Sequence, residues 1–430
     1  MVKRKLPFIA MVIAASLLAR GSDVNARTKK DLMQGFPPLT ENAVNLSNFM
    51  APPYNRWAFQ HMRELVPTRS VYRGEDPVRA VEHAPLPLED LKFTLHDKQQ
   101  VDLLSWLEES KTDSFVVMHR GRIVYERYLN DMEPHRPHQM FSATKSLIGM
   151  LTLGLIYERK IDPDKPISHY VPELKTSGFG DATIQQVLDM TTSLRFDEDY
   201  VNPDADVYRY GAIFGIGGYP SSDAGRPQSI YRFLPTLPKG TEAHGDAFHY
   251  ITPNTDVLAW VNSRVSGMGP AELLETKVWK HLGAERDAYF WLAQDGTAMA
   301  GGGLNMTARD AARFGQMILQ KGYFNGKQIL PSVVAERILQ PGNPDVFTRF
   351  HKDPWYQHIG YAYHDQWWTF DNPHLPVCAI GIHGQFIYLD TVTQMVIVKQ
   401  SSHQDAEGVA NEIVGPQIWH QISQYLLSLK

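Results

Sequence analysis

The 430-residue chain is short of several things, and each shortage narrows what it can be. It holds one cysteine, Cys378, so no intrachain disulfide can staple it and a disulfide-built extracellular scaffold is excluded. Set among strand-like neighbours, Cys378 reads as a small buried apolar residue, not a nucleophile. Positive charge is not in excess: 42 Lys and Arg stand against 47 Asp and Glu, a formal net charge of −5, which leaves no electrostatic footprint for nucleic acid. The 17 histidines form no His-Glu-x-x-His pair and no His/Cys cluster, so neither a metal nor another cofactor is expected. Glycines 301–303 are not followed by Lys-Ser/Thr, which excludes a phosphate loop and leaves a tight turn beside a cleft. There is no repeat and no low-complexity tract.

The apolar stretch Leu6–Leu18 is short for a membrane span. It follows the basic Lys3-Arg4-Lys5 and precedes the small residues of Val24-Asn25-Ala26, the layout of a secretory signal over residues 1–26. A periplasmic or secreted protein is expected, without stable membrane insertion after signal cleavage.

What is present centres on Ser142-Ala143-Thr144-Lys145. Positions i and i+3 share a helix face, so the amine can reach the hydroxyl. A serine hydroxyl is a weak nucleophile near neutral pH and needs a base beside it. A lysine partly removed from water has a lowered pKa and can be that base. Leu147, Ile148, Leu151 and Leu155 follow at helical spacing, with Met150 and Leu153 extending the apolar surface around the helix, so this helix belongs in the protein's interior.

Ahead of it, Phe115–Met118 and Ile123–Tyr125 flank His119-Arg120-Gly121-Arg122, a β-hairpin pattern. Residues 27–95 are rich in proline and read as an irregular N-terminal extension. Helical patterns start at Thr183, span Asn254–Val265 and Ala308–Leu319, and close the chain near 416–429. Strand patterns return at Gln385–Leu389 and Met395–Gln400. Strands at both ends with helices between them predict an α/β domain, an antiparallel sheet flanked by helices, assembled from 96–165 and 300–430, with a mainly helical domain inserted at 166–299. Trp and Tyr crowd into 354–368, pointing to a packed core or an aromatic cleft.

Several ordered segments together resemble the serine β-lactamase and D,D-peptidase superfamily, in its class C-like branch. They are Phe141–Ser146, Ile161–Pro166 with Tyr170–Leu174, Thr183–Ser193, Pro238–Thr241 and Gly381–Gln385. Two departures matter. The second motif, usually Tyr-x-Asn, here has Tyr250 and Asn254 four apart, and the third has Ile382-His383-Gly384 in place of Lys-Thr-Gly. With Arg195–Tyr200 and Asp206–Tyr210, these departures are similar to the 6-aminohexanoate-dimer hydrolase branch. The resemblance implies a serine hydrolase acting on a small-molecule amide or ester. Ser142, Lys145 and Tyr250 would be catalytic, with the division of base work between Lys145 and Tyr250 left open. The oxyanion hole would use the amides of Ser142 and Ile382, with Ala379 and Gln385 as fallbacks. Tyr200, Asn254, His383 and Gly384 would contact substrate, although Asn254 could equally cap the helix that follows it. Tyr208, Tyr210, Trp367 and Trp368 line the cleft or fill the core. A penicillin-binding D,D-peptidase or β-lactamase, or a sensor acylated without turnover, are the alternatives. The missing third-motif lysine argues against the first two.

Overall fold

The computed structural model describes residues 31–218, 228–349, 361–370 and 372–429. The proposed signal segment and Trp355 and Tyr356 of the aromatic cluster lie outside the described residues. Residues 31–43 form a short unit of their own, with a 3-10 turn at Thr40–Asn42. From Val44 onward the chain is one compact unit.

Its spine is a seven-stranded antiparallel sheet. We label the strands β1 (Thr112–His119), β2 (Arg122–Tyr128), β3 (Tyr361–His364), β4 (Trp367–Phe370), β5 (Val377–Gly381), β6 (Gln385–Asp390) and β7 (Met395–Ser401). Their order is β3-β4-β5-β6-β7-β1-β2, so the two ends of the chain meet where β7 pairs with β1, from Met395 opposite His119 to Val398 opposite Val116. The hairpin expected at 115–125 closes through Arg120 (φ +51°) and Gly121 (φ +80°), the paired left-handed residues that match strand twist. Burial on both faces explains the four-residue apolar runs Met395–Val398 of β7 and Phe115–Met118 of β1. Cys378 sits inside β5, buried, with its thiol pKa pushed well up by loss of water.

Helices cover both faces. On one side the C-terminal helix (Gly415–Ser428) buries Ile418, Trp419, Ile422 and Leu426, while Leu429 falls beyond its end and is exposed. Trp106, from the short helix Leu103–Glu109, packs with it over Phe115 and Phe386. On the other side lies the helix Ala308–Leu319, which approaches the sheet at Gly315, where a Cβ would stand 2.7 Å from Val396. We call the helix after the serine α1 (Thr144–Tyr157) and the helix after Tyr250 α2 (Pro253–Ser266). Eleven of the fourteen residues of α1 are buried, as its all-round apolar sequence requires. The helix predicted at Thr183 spans Ile184–Leu188 behind a capping box of Thr183 and Gln186.

The proline-rich segment is woven into this body from Val44 on. Thr68–Val71 pairs antiparallel with Ala288–Trp291, and these two strands join Leu304–Met306 and His138–Gln139 in a second, four-stranded sheet. The Asn55 amide donates to the carbonyls of Ser402 and His403. Strands of two to four residues are too short to show alternation, which is why sequence periodicity does not reveal this sheet.

Candidate active site

Ser142 lies in a single 3-10 turn, Phe141–Ala143, that feeds straight into α1. Phe141 just before it is buried with φ +44°, a left-handed conformation that costs a non-glycine residue about 1 kcal/mol and is held by packing against Phe59 and His383. Lys145 is the second residue of α1. Its Nζ stands 2.8 Å from Ser142 Oγ and donates to the Gly301 carbonyl at 2.7 Å. The amine is 1% exposed, and burial pulls its pKa down to about 8, against the opposing pull of Glu198 and Asp256. Tyr250, in the loop before α2, presents its ring to the same amine, 5.1 Å from Nζ to ring centre. The ring is positioned by Trp368 at 5.4 Å and by Tyr363 at 6.0 Å, both carried by the β3–β4 hairpin. Ser142, Lys145 and Tyr250 are thus brought together from two distant stretches of chain.

The end of β5 closes the other side. A Cβ on Gly381 would collide with the Met140 carbonyl oxygen and lie 3.1 Å from the Ser142 amide nitrogen, so the strand abuts the nucleophile turn backbone to backbone. Ile382 follows it at the cleft wall. His383 also lines the cleft. Its Nδ1 meets the His403 carbonyl at 2.8 Å, and burial drops its pKa to about 4, so the imidazole is neutral.

The cleft has a volume of about 730 Å³. Ser142, Tyr200, Tyr208, Tyr210, Gly301 and Gly302 are on its wall, and so are Met50 and Ala51 from the N-terminal segment. The turn expected at 301–303 is therefore beside the cleft. Among the described lining residues are four acids, Glu198, Asp199, Asp405 and Glu407, and no lysine or arginine. Tyr200 donates its hydroxyl to Glu198 at 2.6 Å, and the Thr252 amide holds the other Glu198 oxygen at 2.6 Å. Tyr208 donates to the Tyr200 carbonyl at 2.7 Å, pinning the loop.

Two of the expected substrate contacts are elsewhere. Asn254 is fully buried: its oxygen accepts from Thr192 Oγ1 at 2.9 Å and its nitrogen contacts Met190 Sδ at 3.2 Å, so it ties α2 to the loop that follows the helix Ile184–Leu188. It does not cap the helix either, because α2 begins at Pro253 behind Thr252. Gly384 is a turn residue (φ +87°) that backs onto Asn411. Trp367 is fully buried in the core, and Trp368 supports Tyr250. Conversely, nothing in the sequence pattern singles out Glu198, Asp256 or Met50. Only the order of the motifs around them hints that the loops carrying them converge.

An antiparallel sheet sandwiched by helices, with a serine and a buried lysine at the head of the central helix, defines a β-lactamase-type serine hydrolase. The sequence says the same: residues 107–413 match the family model described as Beta-lactamase, and the chain belongs to that family. It is 36% identical over 384 residues to the 6-aminohexanoate-dimer hydrolase of Paenarthrobacter ureafaciens, covering 89% of this chain and 94% of that one. A Bacillus anthracis protein assigned as a 6-aminohexanoate-dimer hydrolase superposes with a TM-score of 0.81 at 33% identity, over 91% of this chain and 99% of its own. EstCE1, a hydrolase with promiscuous acyltransferase activity, shares the fold at 15% identity, with a TM-score of 0.57 over 74% of this chain and 96% of its own.

Proposed function

We propose that the protein is a secreted hydrolase of linear amides and esters that works through an acyl-enzyme on Ser142. The observation that carries this reading is the 2.8 Å approach of Ser142 Oγ to a buried amine whose pKa is about 8. In its neutral form Lys145 keeps an N–H on the Gly301 carbonyl and turns its lone pair to the serine. Ser142 then attacks the substrate carbonyl while its proton passes to Lys145. The negative oxygen of the tetrahedral intermediate falls between the amides of Ser142 and Ile382. Tyr250 hands a proton to the departing amine, the C–N bond breaks, and Ser142 is left acylated. Water, deprotonated by the same pair, attacks the ester carbonyl and releases the acid and the free serine.

The acidic lining and the neutral His383 argue for a substrate whose non-reacting end carries an ammonium rather than a carboxylate. The same features disfavour penicillins, whose carboxylate would meet no cation on the described walls. A linear amide with an ammonium on one arm, as at the amino end of the 6-aminohexanoate dimer, fits the acidic lining and the volume, provided that the carboxylate at the dimer's other end stays clear of these acids.

The experiment is to incubate the wild-type protein and Ser142→Ala with a p-nitrophenyl ester, a 6-aminohexanoate dimer and a chromogenic cephalosporin, and to follow adducts by mass spectrometry. Turnover of ester and amide with a transient Ser142 adduct is expected, and none in Ser142→Ala. Wild-type rates in that variant overturn the mechanism, a permanent adduct overturns turnover, and fast cephalosporin cleavage overturns the substrate class. Export rests on residues 1–26. It is tested by sequencing the N-terminus of protein recovered outside the cytoplasm, where a chain starting near Arg27 is expected.

A further inference from the structure

The Gly301 backbone stands between Lys145 and Asp256. Its carbonyl accepts from Lys145 Nζ at 2.7 Å, and it packs against the buried carboxylate of Asp256, whose charged form the nearby amides of Gly301 and Ala300 favour. Asp256 sits in the first turn of α2, buried, and also accepts from the Tyr210 hydroxyl at 2.8 Å. The packing leaves no freedom: a Cβ on Gly301 would collide with Thr252 and stand 2.8 Å from the Tyr210 hydroxyl and 3.2 Å from Asp256 Oδ2. A buried carboxylate is costly to keep, and this one is held by the Tyr210 hydroxyl against the backbone that seats a catalytic amine.

We propose that Asp256 is a positioning residue of the active site: its carboxylate, packed against the Gly301 backbone, holds in place the carbonyl that seats Lys145 against Ser142, and its negative charge favours the ammonium form of that lysine. The inference rests on reading Ser142 and Lys145 as nucleophile and base. The charged and titratable groups around Asp256 and Lys145 are Glu198 and Tyr200 from the loop across the cleft, Tyr210 from the helix Asp206–Ile213, Tyr231 from the helix Ile230–Phe233, and Tyr250 from the loop before α2. Burial lifts Asp256 to about 7, close to the value of about 8 at Lys145, so the two groups exchange charge over the same pH range and titrate as a pair.

The sign of the effect follows. Removing the negative charge makes the ammonium form of Lys145 less favourable, so the free amine forms at lower pH. The test compares wild type with Asp256→Asn, which keeps an acceptor for Tyr210 but loses the charge. Two rates are followed against pH: labelling of Ser142 by a fluorophosphonate, located by peptide mass, and kcat/KM for a p-nitrophenyl ester. The acid limb of both is expected to move down by about one unit, with a severalfold lower plateau from the loosened Gly301 peptide. An unmoved limb overturns the inference. Failure of the wild-type protein to label on Ser142 overturns instead the reading on which it rests. Should Asp256→Asn not fold, Tyr210→Phe serves. It removes one donor to the carboxylate, so Asp256 protonates more readily and the limb moves the same way, and an unmoved limb there overturns the inference equally.

Discussion

Lys145 and Tyr250 divide the proton work, and the division has measurable consequences. Lys145 is active as the free amine, and burial places that form within reach at about pH 8. Below that value the amine is protonated and kcat/KM for an ester should fall about tenfold per pH unit; a profile flat from pH 6 to 9 would contradict this. Tyr250 is needed where the leaving group must be protonated. Amines need it and p-nitrophenolate does not. Tyr250→Phe should therefore lose about 100-fold or more on a linear amide and under tenfold on a nitrophenyl ester, measured as kcat/KM for each, which reports acylation. The serine and lysine were legible from their spacing, because a three-residue offset is a local matter. Tyr250 was legible only through resemblance. Asp256 and Glu198 were not legible at all, because each acquires its role by burial against a loop more than 40 residues away. Asn254 misled for the related reason that an asparagine two residues from a helix start has the same local sequence whether it faces a cleft or a core.

At the scale of elements, the β3–β4 hairpin holds α1 and α2 in place. Its turn residues Asp365 (φ +50°) and Gln366 (φ +69°) are buried, and the Gln366 side chain donates to the carbonyls of Val187 and Leu188 and accepts from Thr255. A Cβ on Gly149 of α1 would stand 2.5 Å from the Asp365 carbonyl and 2.7 Å from Gln366 Cβ. Gly149→Ala should thus destabilise the protein by about 2 kcal/mol despite alanine's better helix propensity, read as a lowered Tm.

The same turn carries a pH signature. His364 lies between Asp189 and Asp365, and although burial opposes its charge, hydrogen bonds to these acids raise its pKa to about 9, while the Asp365 carboxyl is held at about 2 by its bonds to His364 and Arg337. A raised histidine stabilises fully below its unfolded value near 6.5, and that contribution is lost as pH rises through about 9. The Tm advantage of wild type over His364→Gln should shrink between pH 6.5 and 9.5. A constant difference would refute the pairing. Helix starts and the long strands were readable from caps and apolar runs, such as Thr183 with Gln186. The short strands Thr68–Val71 and Leu304–Met306 were not, since pairing rather than pattern makes them strands.

At the scale of the whole molecule, the segment from Val44 to about residue 66 builds part of the cleft. Met50 and Ala51 are on its wall, Phe59 packs on Phe141 at 4.8 Å, and the Phe59 carbonyl accepts the Gln139 amide at 2.9 Å. Deleting residues 1–26 should leave Tm and activity unchanged. Deleting through residue 66 should abolish ester turnover, and a fully active truncated protein would show that the segment is dispensable. Among the described residues no helix is long and apolar enough to cross a membrane.

By itself the sequence determined the reactive couple, the helix that carries it, the hairpin at 115–125 and the family, because each depends on neighbours a few residues apart or on the order of motifs. The tertiary structure alone decided which carboxylates face the cleft and how dry that amine is. Those depend on burial, and burial is set by segments hundreds of residues apart in the chain: it is the loss of water around Lys145, not its position three residues after a serine, that brings its pKa within reach of neutral pH.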